Sequence, residues 1–136
     1  MADAKPEVHP DFNKKSSTGM EAKIAVLISH IGALFGLGWL SGLIIYLMEK
    51  ENKFVKFQAM QSLVIGVGEV IVGIASLILG LITIFIGGIC GWIFLPVGLI
   101  ALLVIRVIIV IKTFNGENYS FPWIGKMTEK WMAKFK

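Results

Sequence analysis

Two charged residues stand where charge is costly. Between Leu63 and Ile111, Glu69 and Arg106 are the only formal charges. A carboxylate and a guanidinium set among hydrocarbon can pair with each other, snorkel to a nearby interface, form part of a proton or ion pathway, or make a contact between subunits. Counting from a turn between Gly88 and Ile89, Glu69 is about nineteen residues back and Arg106 about eighteen forward. In an antiparallel hairpin that difference amounts to about 3 Å along the axis, so the two are expected to meet. His30, next to Ser29, is the one histidine inside an apolar run. An imidazole there could ligate a haem iron or a chlorophyll magnesium, take part in proton transfer, or hydrogen-bond a carbonyl. With no second histidine in an apolar segment, a metal site within one chain is not expected. Gln58 and Gln61 read as residues that cap or bridge helices.

Other chemistry is poorly supplied. The single cysteine, Cys90, excludes an internal disulfide and a cysteine-based zinc or cluster site. Nothing beside it in sequence would lower its pKa. No nucleophile with its base, clustered carboxylates or phosphate-binding glycine loop is present, since the glycines at Gly87 lack the lysine and the strand such a loop needs. The chain is therefore expected to be no enzyme and to need no cofactor, although a bound lipid or pigment is compatible with it.

These residues must be held by membrane helices. The chain has 136 residues, 56% hydrophobic, with a mean hydropathy of +0.79. A soluble domain of this size could not bury so much apolar surface. On either side of Gly87, Gly88 and Gly91 lies a run of about twenty apolar residues, enough to cross about 30 Å of hydrocarbon. The sequence thus predicts an all-α integral membrane protein with spans over about 62–86 and 93–113. The net charge is +4, and every Lys and Arg except Arg106 lies outside or at the ends of the apolar runs. That distribution points to anionic lipid headgroups and not to nucleic acid.

Residues 1–19 mix charges with Pro6, Pro10 and two serines, a composition that predicts a disordered polar tail. No apolar region precedes a small-residue cleavage site, so a cleaved signal peptide is not expected. Ser17, Thr18 and Glu21 offer an N-cap and first-turn acid to a helix that follows. The first apolar segment, about 22–48, is interrupted by Gly36, Leu37, Gly38, Trp39, Ser41 and Gly42. It is either one tilted helix or a broken, re-entrant hairpin. Charge favours the hairpin, which keeps Lys5, Lys14, Lys15 and Lys23 on the side of Lys50, Lys53, Lys56 and the C-terminal lysines. Trp39 would then lie near the far interface. Gly32 with Gly36, and Gly38 with Gly42, have the spacing that brings helix backbones close.

Glu49 to Gln61 is expected to lie in the interface as a connector. In the next helix Gly66, Gly73, Gly80 and Gly87 recur every seven residues, a stripe suited to packing against another helix. Gly87 to Trp92 suits a tight turn, Pro96 falls near the start of the third helix, and Asn115 and Gly116 stop it. Residues 122–136 form a basic amphipathic helix: Trp123, Ile124, Met127, Trp131, Met132 and Phe135 share one half of the wheel, beside a stripe of Lys126, Lys130 and Lys134. Such a helix suits an anionic membrane surface, and a protein partner could use the same face.

Three stretches, read together, resemble a known family: Leu27-Ile28-Ser29-His30; Phe54-Val55-Lys56-Phe57-Gln58-Ala59-Met60-Gln61-Ser62-Leu63; and Asn115-Gly116-Glu117-Asn118-Tyr119-Ser120-Phe121-Pro122. In this order they resemble a widespread prokaryotic family of small membrane proteins of unknown function. That family is similar to the small multi-spanning subunit of the chloroplast inner-envelope protein import translocon. The resemblance covers roughly Ala22 to Ile124 and implies a helical membrane module of a kind that can sit within a larger assembly. It also implies a histidine where this chain has Gln58, so a role needing both imidazoles would not carry over. The expectation is a small accessory or scaffold subunit of the cytoplasmic membrane, C-terminus cytoplasmic, packing through its glycines against a larger membrane complex or copies of itself. The alternative is a transport or translocation component in which several copies line a path with Glu69, Arg106 and His30.

Overall fold

The computed structural model describes residues 8–84, 90–120 and 122–135. Its elements are α1 (Ala22–Ile31), a 3-10 turn (Gly32–Phe35), α2 (Gly38–Met48), α3 (Lys53–Ile84), α4 (Cys90–Phe114) and α5 (Pro122–Lys134). The all-helical architecture follows from long apolar runs with no strand-like alternation. Two helices, α3 and α4, are long and apolar enough to cross a membrane. α4 runs through Pro96, which sits in its second turn. Gly87, and most of the stretch where the tight turn was expected, lies outside the described residues.

The first apolar segment is broken. Gly36 adopts φ +71°, a left-handed conformation that needs a glycine, and caps the 3-10 turn, while the Leu37 N–H bonds back to the Gly32 carbonyl. The two arms come back together, because Ser16 and Ser17 before α1 both bond to Glu49 just after α2. The segment is therefore a helical hairpin whose two ends share one end of the molecule. Its tip reaches only part-way along α3. The backbone of Trp39 lies against Gly66, about 27 Å short of the last residue of α3 at 1.5 Å per residue. Trp39 thus sits at mid-height and not at the far end as the sequence suggested, because each arm is only ten or eleven residues long.

The glycines divide into two sets. A Cβ on Gly42 would fall 2.7 Å from the Leu63 amide nitrogen and 2.8 Å from the Ala59 carbonyl oxygen, and one on Gly32 would strike Ser41. A Cβ on Gly66 would strike the backbone of Gly38 and Trp39 across the α2–α3 contact, and one on Gly38 would meet the side chains of Arg106 and Glu69. Gly32, Gly42 and Gly66 let backbone segments approach closely, Gly38 makes room for two side chains, and Gly36 serves the turn. On α3 the stripe is only partly used: Gly66 is covered, but among the described residues nothing outside the helix's own backbone stands within 4 Å of a Cβ at Gly73 or Gly80.

Burial follows the same division. The core comprises Ala22, Ala25, Val26, Ile45, Tyr46, Phe54, Val55, Ala59, Met60 and Leu63, all beside the hairpin. Beyond Glu69, most large apolar residues of α3, from Val70 to Ile84, are exposed, as are Val97, Ile100 and Val104 on α4. One half of the molecule is a braced bundle and the other a bare pair of helices.

Four expectations for the polar segments are corrected. Residues 8–19, predicted disordered, fold over the hairpin's open end. Asn52 Nδ2 holds the carbonyls of Asp11 and Lys14 at 3.0 and 3.1 Å, the His9 N–H reaches the Gly116 carbonyl at 2.9 Å, and Phe12 meets Phe54 edge to face. Ser17 and Thr18 do not cap α1, whose preceding residue Glu21 makes no side-chain cap bond. Both serines are instead drawn to Glu49. The connector is also shorter than expected, since α3 begins at Lys53, with Asn52 Oδ1 accepting from the Val55 N–H as an N-cap. Finally, α5 is only partly a surface helix. Trp131 and Met132 pack against the core, and Gly125 and Thr128 are buried, while Trp123, Lys126, Lys130 and Lys134 are exposed.

Candidate functional site: a buried charge cluster at the hairpin tip

Arg106 enters the braced half from α4 and is 3% exposed. Its Nε and Nη2 both donate to Glu69 Oε1, at 3.1 and 3.0 Å. Its Nη1 reaches Ser62 Oγ at 2.7 Å and His30 Nδ1 at 3.0 Å, and Nη2 also lies 3.5 Å from the Ser62 carbonyl. Ser62 Oγ in turn donates to the Ser29 carbonyl at 2.5 Å, which Ser41 Oγ also reaches at 2.7 Å. Four elements therefore converge: α1 through Ser29 and His30, α2 through Gly38 and Ser41, α3 through Ser62 and Glu69, and α4 through Arg106.

Local structure explains the convergence. On α3, Gln58, Ser62 and Glu69 are spaced four and seven residues apart, so they share one face. The tip of the hairpin presents Gly38 to that face. A Cβ there would fall 2.5 Å from Arg106 Nη2 and 2.9 Å from Glu69 Oε2. Gly38 is thus the clearance through which the guanidinium and carboxylate meet, beside a carbonyl-rich turn.

The electrostatics are closed. One cation and one anion give the cluster no net charge, and each N–H of the guanidinium is directed at an acceptor. A guanidinium donates only, so His30 Nδ1 must be the accepting nitrogen and the ring proton must sit on Nε2. His30 is therefore neutral, as a base beside a buried cation requires. Its Nε2 is buried without a hydrogen-bond partner among the described residues. The same is true of both polar atoms of the Gln61 side chain, of Gln58 Oε1 and of Thr113 Oγ1. Gln58 Nε2 bonds Asn118 Oδ1 and the Tyr119 carbonyl, each at 3.1 Å, and so bridges α3 to the segment after α4.

The sequence identified Glu69, Arg106 and His30, and the structure joins all three. It did not single out Ser62, Gly38 as the clearance, or Asn52 and Glu49 at the open end. Asn52 was signalled by an N-capping residue type just before a long apolar helix. Among the described residues, no group of three or more His, Cys, Asp or Glu could hold a metal ion.

Fold and site together define a small helical membrane protein whose internal charge cluster ties a broken hairpin to two long apolar helices. The chain belongs to the magnetosome magnetite crystal formation protein family, whose model matches residues 21–128. It is 37% identical to a UPF0132 membrane protein of Methanocaldococcus jannaschii over 73% of this chain and 65% of that protein, so it spans slightly less than two thirds of that relative. A second UPF0132 membrane protein of the same organism is 30% identical over 88% of this chain and 96% of its own length. One from Archaeoglobus fulgidus is 30% identical over 82% of this chain and 95% of its own. No solved structure matches.

Proposed function

We propose that this protein is a small accessory or scaffold subunit of a prokaryotic cytoplasmic membrane, packing through α3 and α4 against a larger membrane protein or a second copy of itself. The observation that carries this reading is the contrast along α3. Gly32, Gly38, Gly42 and Gly66 in the braced half are covered, whereas Gly73 and Gly80 open onto a groove of about 230 Å³ that continues past Ser76 and Ile84 to Trp92 and Leu95. A helix partner would bring its own backbone into that groove, gaining the dispersion contacts that drive association in lipid. The braced half holds the two long helices in register to present it.

Orientation follows from the lysines. Lys50, Lys53, Lys112, Lys126, Lys130 and Lys134 all gather at the open end of the hairpin, which the positive-inside rule makes cytoplasmic. There the exposed Trp123 and the α5 lysines rest on anionic headgroups. The family's name refers to magnetite crystals, but the reading here rests on packing. Likeness to the chloroplast import subunit is carried by the three sequence stretches alone and adds nothing to it. A shared path lined by Glu69, Arg106 and His30 is not favoured either, because the donors of Arg106 are taken by Glu69, His30 and Ser62 within one chain.

The test is affinity purification of the tagged protein from native membranes in mild detergent, beside a Gly73→Leu/Gly80→Leu variant. The wild type should bring down a stoichiometric partner or elute as a defined oligomer. The variant, melting at the same temperature or higher, should lose it. A wild type recovered only as a monomer, or a variant that retains its partner, overturns the reading.

A further inference from the structure

The hairpin is as deep as one leaflet. Its arms, α1 and α2, have ten and eleven residues, which makes about 15–17 Å of helix against about 30 Å of hydrocarbon. Ile28 and Ile31 on one arm and Ile44 and Leu47 on the other are exposed, and Leu34 and Phe35 at the tip are 70% and 78% exposed. Apolar side chains presented to that degree belong in lipid. The backbone of the tip is closed as hydrocarbon demands. The Gly36 and Leu37 N–H groups donate to the Ala33 and Gly32 carbonyls at 3.1 and 2.8 Å, and Ser41 Oγ donates to the Ser29 carbonyl at 2.7 Å. The hairpin therefore lies within the leaflet at its open end and stops near the midplane.

The two leaflets are then loaded unequally. In the half at the open end, α1 touches α2, α3 and α4, and α2 packs on α3. In the far half, among the described residues, α3 and α4 stand alone, with Ile71, Ile74 and Leu81 on one and Ile93, Val97 and Ile100 on the other exposed. With a helix about 10 Å across, two extra helices add on the order of 160 Å² to one leaflet. Helix α5 adds to the same side. Its outward face carries Trp123 and Met127 beside Lys126, Lys130 and Lys134, all exposed, the composition of a helix that sinks into the headgroup boundary. A curved bilayer is stretched in its convex leaflet and compressed in its concave one. A body wider in one leaflet fits best where that leaflet is convex, because it fills the area that the lipids there cover poorly.

We propose that the protein is a one-sided wedge that gathers in, and stabilises, bilayer curved so that the leaflet holding the hairpin is convex. Its partner in this role is the lipid of a curved membrane. The property belongs to the single chain with α3 and α4 crossing, and it needs no partner at Gly73 and Gly80. Which face of a cell membrane becomes convex rests on the orientation argued from the lysines, which makes it the cytoplasmic face.

The experiment is sorting between a flat membrane and a curved one joined to it. Full-length protein is reconstituted at low density in giant vesicles of phosphatidylcholine with a minor share of phosphatidylglycerol, and nanotubes are pulled outward from them. Lys130→Cys in a Cys90→Ser background, labelled from outside with a membrane-impermeant dye, marks only molecules whose open end faces out. Trp92→Cys in the same background, labelled in the same way, marks the opposite orientation. The first population should be enriched in the tube at least twofold over a lipid dye, increasingly as the tube narrows, and the second should be depleted. Trp123→Ala/Met127→Ala, which strips α5 of its apolar anchors, should keep most of the enrichment. So should Gly73→Leu/Gly80→Leu, which separates shape from any partner contact. A chain recovered only as a monomer would sink the accessory reading and leave this sorting intact. Equal behaviour of the two orientations, no enrichment of the first, or its loss in either folded variant overturns the proposal.

Discussion

Arg106 sets two of its nitrogens against a single oxygen of Glu69, Oε1, at 3.0 and 3.1 Å, across the contact between α4 and α3. The guanidinium is almost wholly buried and the carboxylate side chain 16% exposed, so neither group can recover its hydration if the other is removed. Substituting one partner should therefore leave an uncompensated charge and cost about 3–5 kcal/mol, whereas removing both should cost much less. Glu69→Gln and Arg106→Met are each expected to lower the unfolding midpoint of the purified protein, and the double variant to regain most of the loss. A double variant no better than the singles would mean that the pair contributes nothing as a pair. The cycle reads only the interaction energy, so repacking common to both sites cancels.

The glycines of α3 allow a sharper comparison, because they sit in one helix at one spacing. Gly66→Ala would drive a methyl group into the backbone of Trp39, which cannot yield as a flexible side chain would. A loss of about 2–3 kcal/mol is expected, at the upper end of overpacking effects. Gly73→Ala meets nothing within 4 Å among the described residues and replaces a poor helix former by the best one, so it should be neutral or stabilising by up to about 1 kcal/mol in the isolated protein. Thermal unfolding in one detergent decides between them, and equal effects would contradict the two-part packing described above.

The open end of the hairpin should be acid-sensitive. Glu49 is buried, which alone would raise its pKa, but hydrogen bonds from Ser16 and Ser17 and from the Asn52 and Ser17 amides outweigh burial and hold it below the usual carboxylate range. A carboxyl with a lowered folded pKa stabilises fully above its unfolded value, about 4.3 for glutamate, and the contribution disappears as pH falls through the folded value. The gap in melting temperature between wild type and Glu49→Gln should be constant above about pH 5 and shrink below about pH 4. Asp11, whose pKa is also lowered, chiefly by its hydrogen bond from Lys14, is present in both proteins and cancels. A gap independent of pH would show that the Glu49 carboxylate does not clamp residues 16 and 17.

Much of this fold was legible because a bilayer restricts the choices. Apolar length gave α3 and α4, and the requirement that charges in hydrocarbon be paired brought Glu69 to Arg106 before any coordinates. The interruption at Gly36 to Gly42 gave the broken hairpin. What local pattern could not give was depth and long-range polar pairing. Trp39 was placed at an interface because tryptophans favour one, but the length of each arm carries it only to Gly66. Residues 8–19 looked unable to fold because they bury little by themselves. They are ordered by acceptors and donors from Glu49 and Asn52, more than thirty positions away in sequence. Ser62 was unremarkable in a helix until Ser29, His30 and Arg106 surrounded it.

The contact between Ser17 and Glu49 also leads to a prediction about sidedness. If the hairpin's arms begin and end together, and α3 and α4 each cross once, then the segment before α1, the connector at Glu51 and helix α5 all lie on one side. Single cysteines at Lys14, Glu51 and Lys130, all exposed, in a Cys90→Ser background provide the check. In sealed inverted membrane vesicles all three should react with a membrane-impermeant maleimide, and in intact spheroplasts none should. Labelling of the Lys14 cysteine from the opposite side to the other two would require the first apolar segment to cross the bilayer, and the hairpin would be wrong. The arrangement also makes one internal demand. Ser17→Ala, which removes a hydroxyl that donates to Glu49 and accepts from the Lys50 amide at 3.0 Å, should loosen the junction and increase cleavage near Lys14 and Lys15 by added trypsin, without changing which side any of the three cysteines reports.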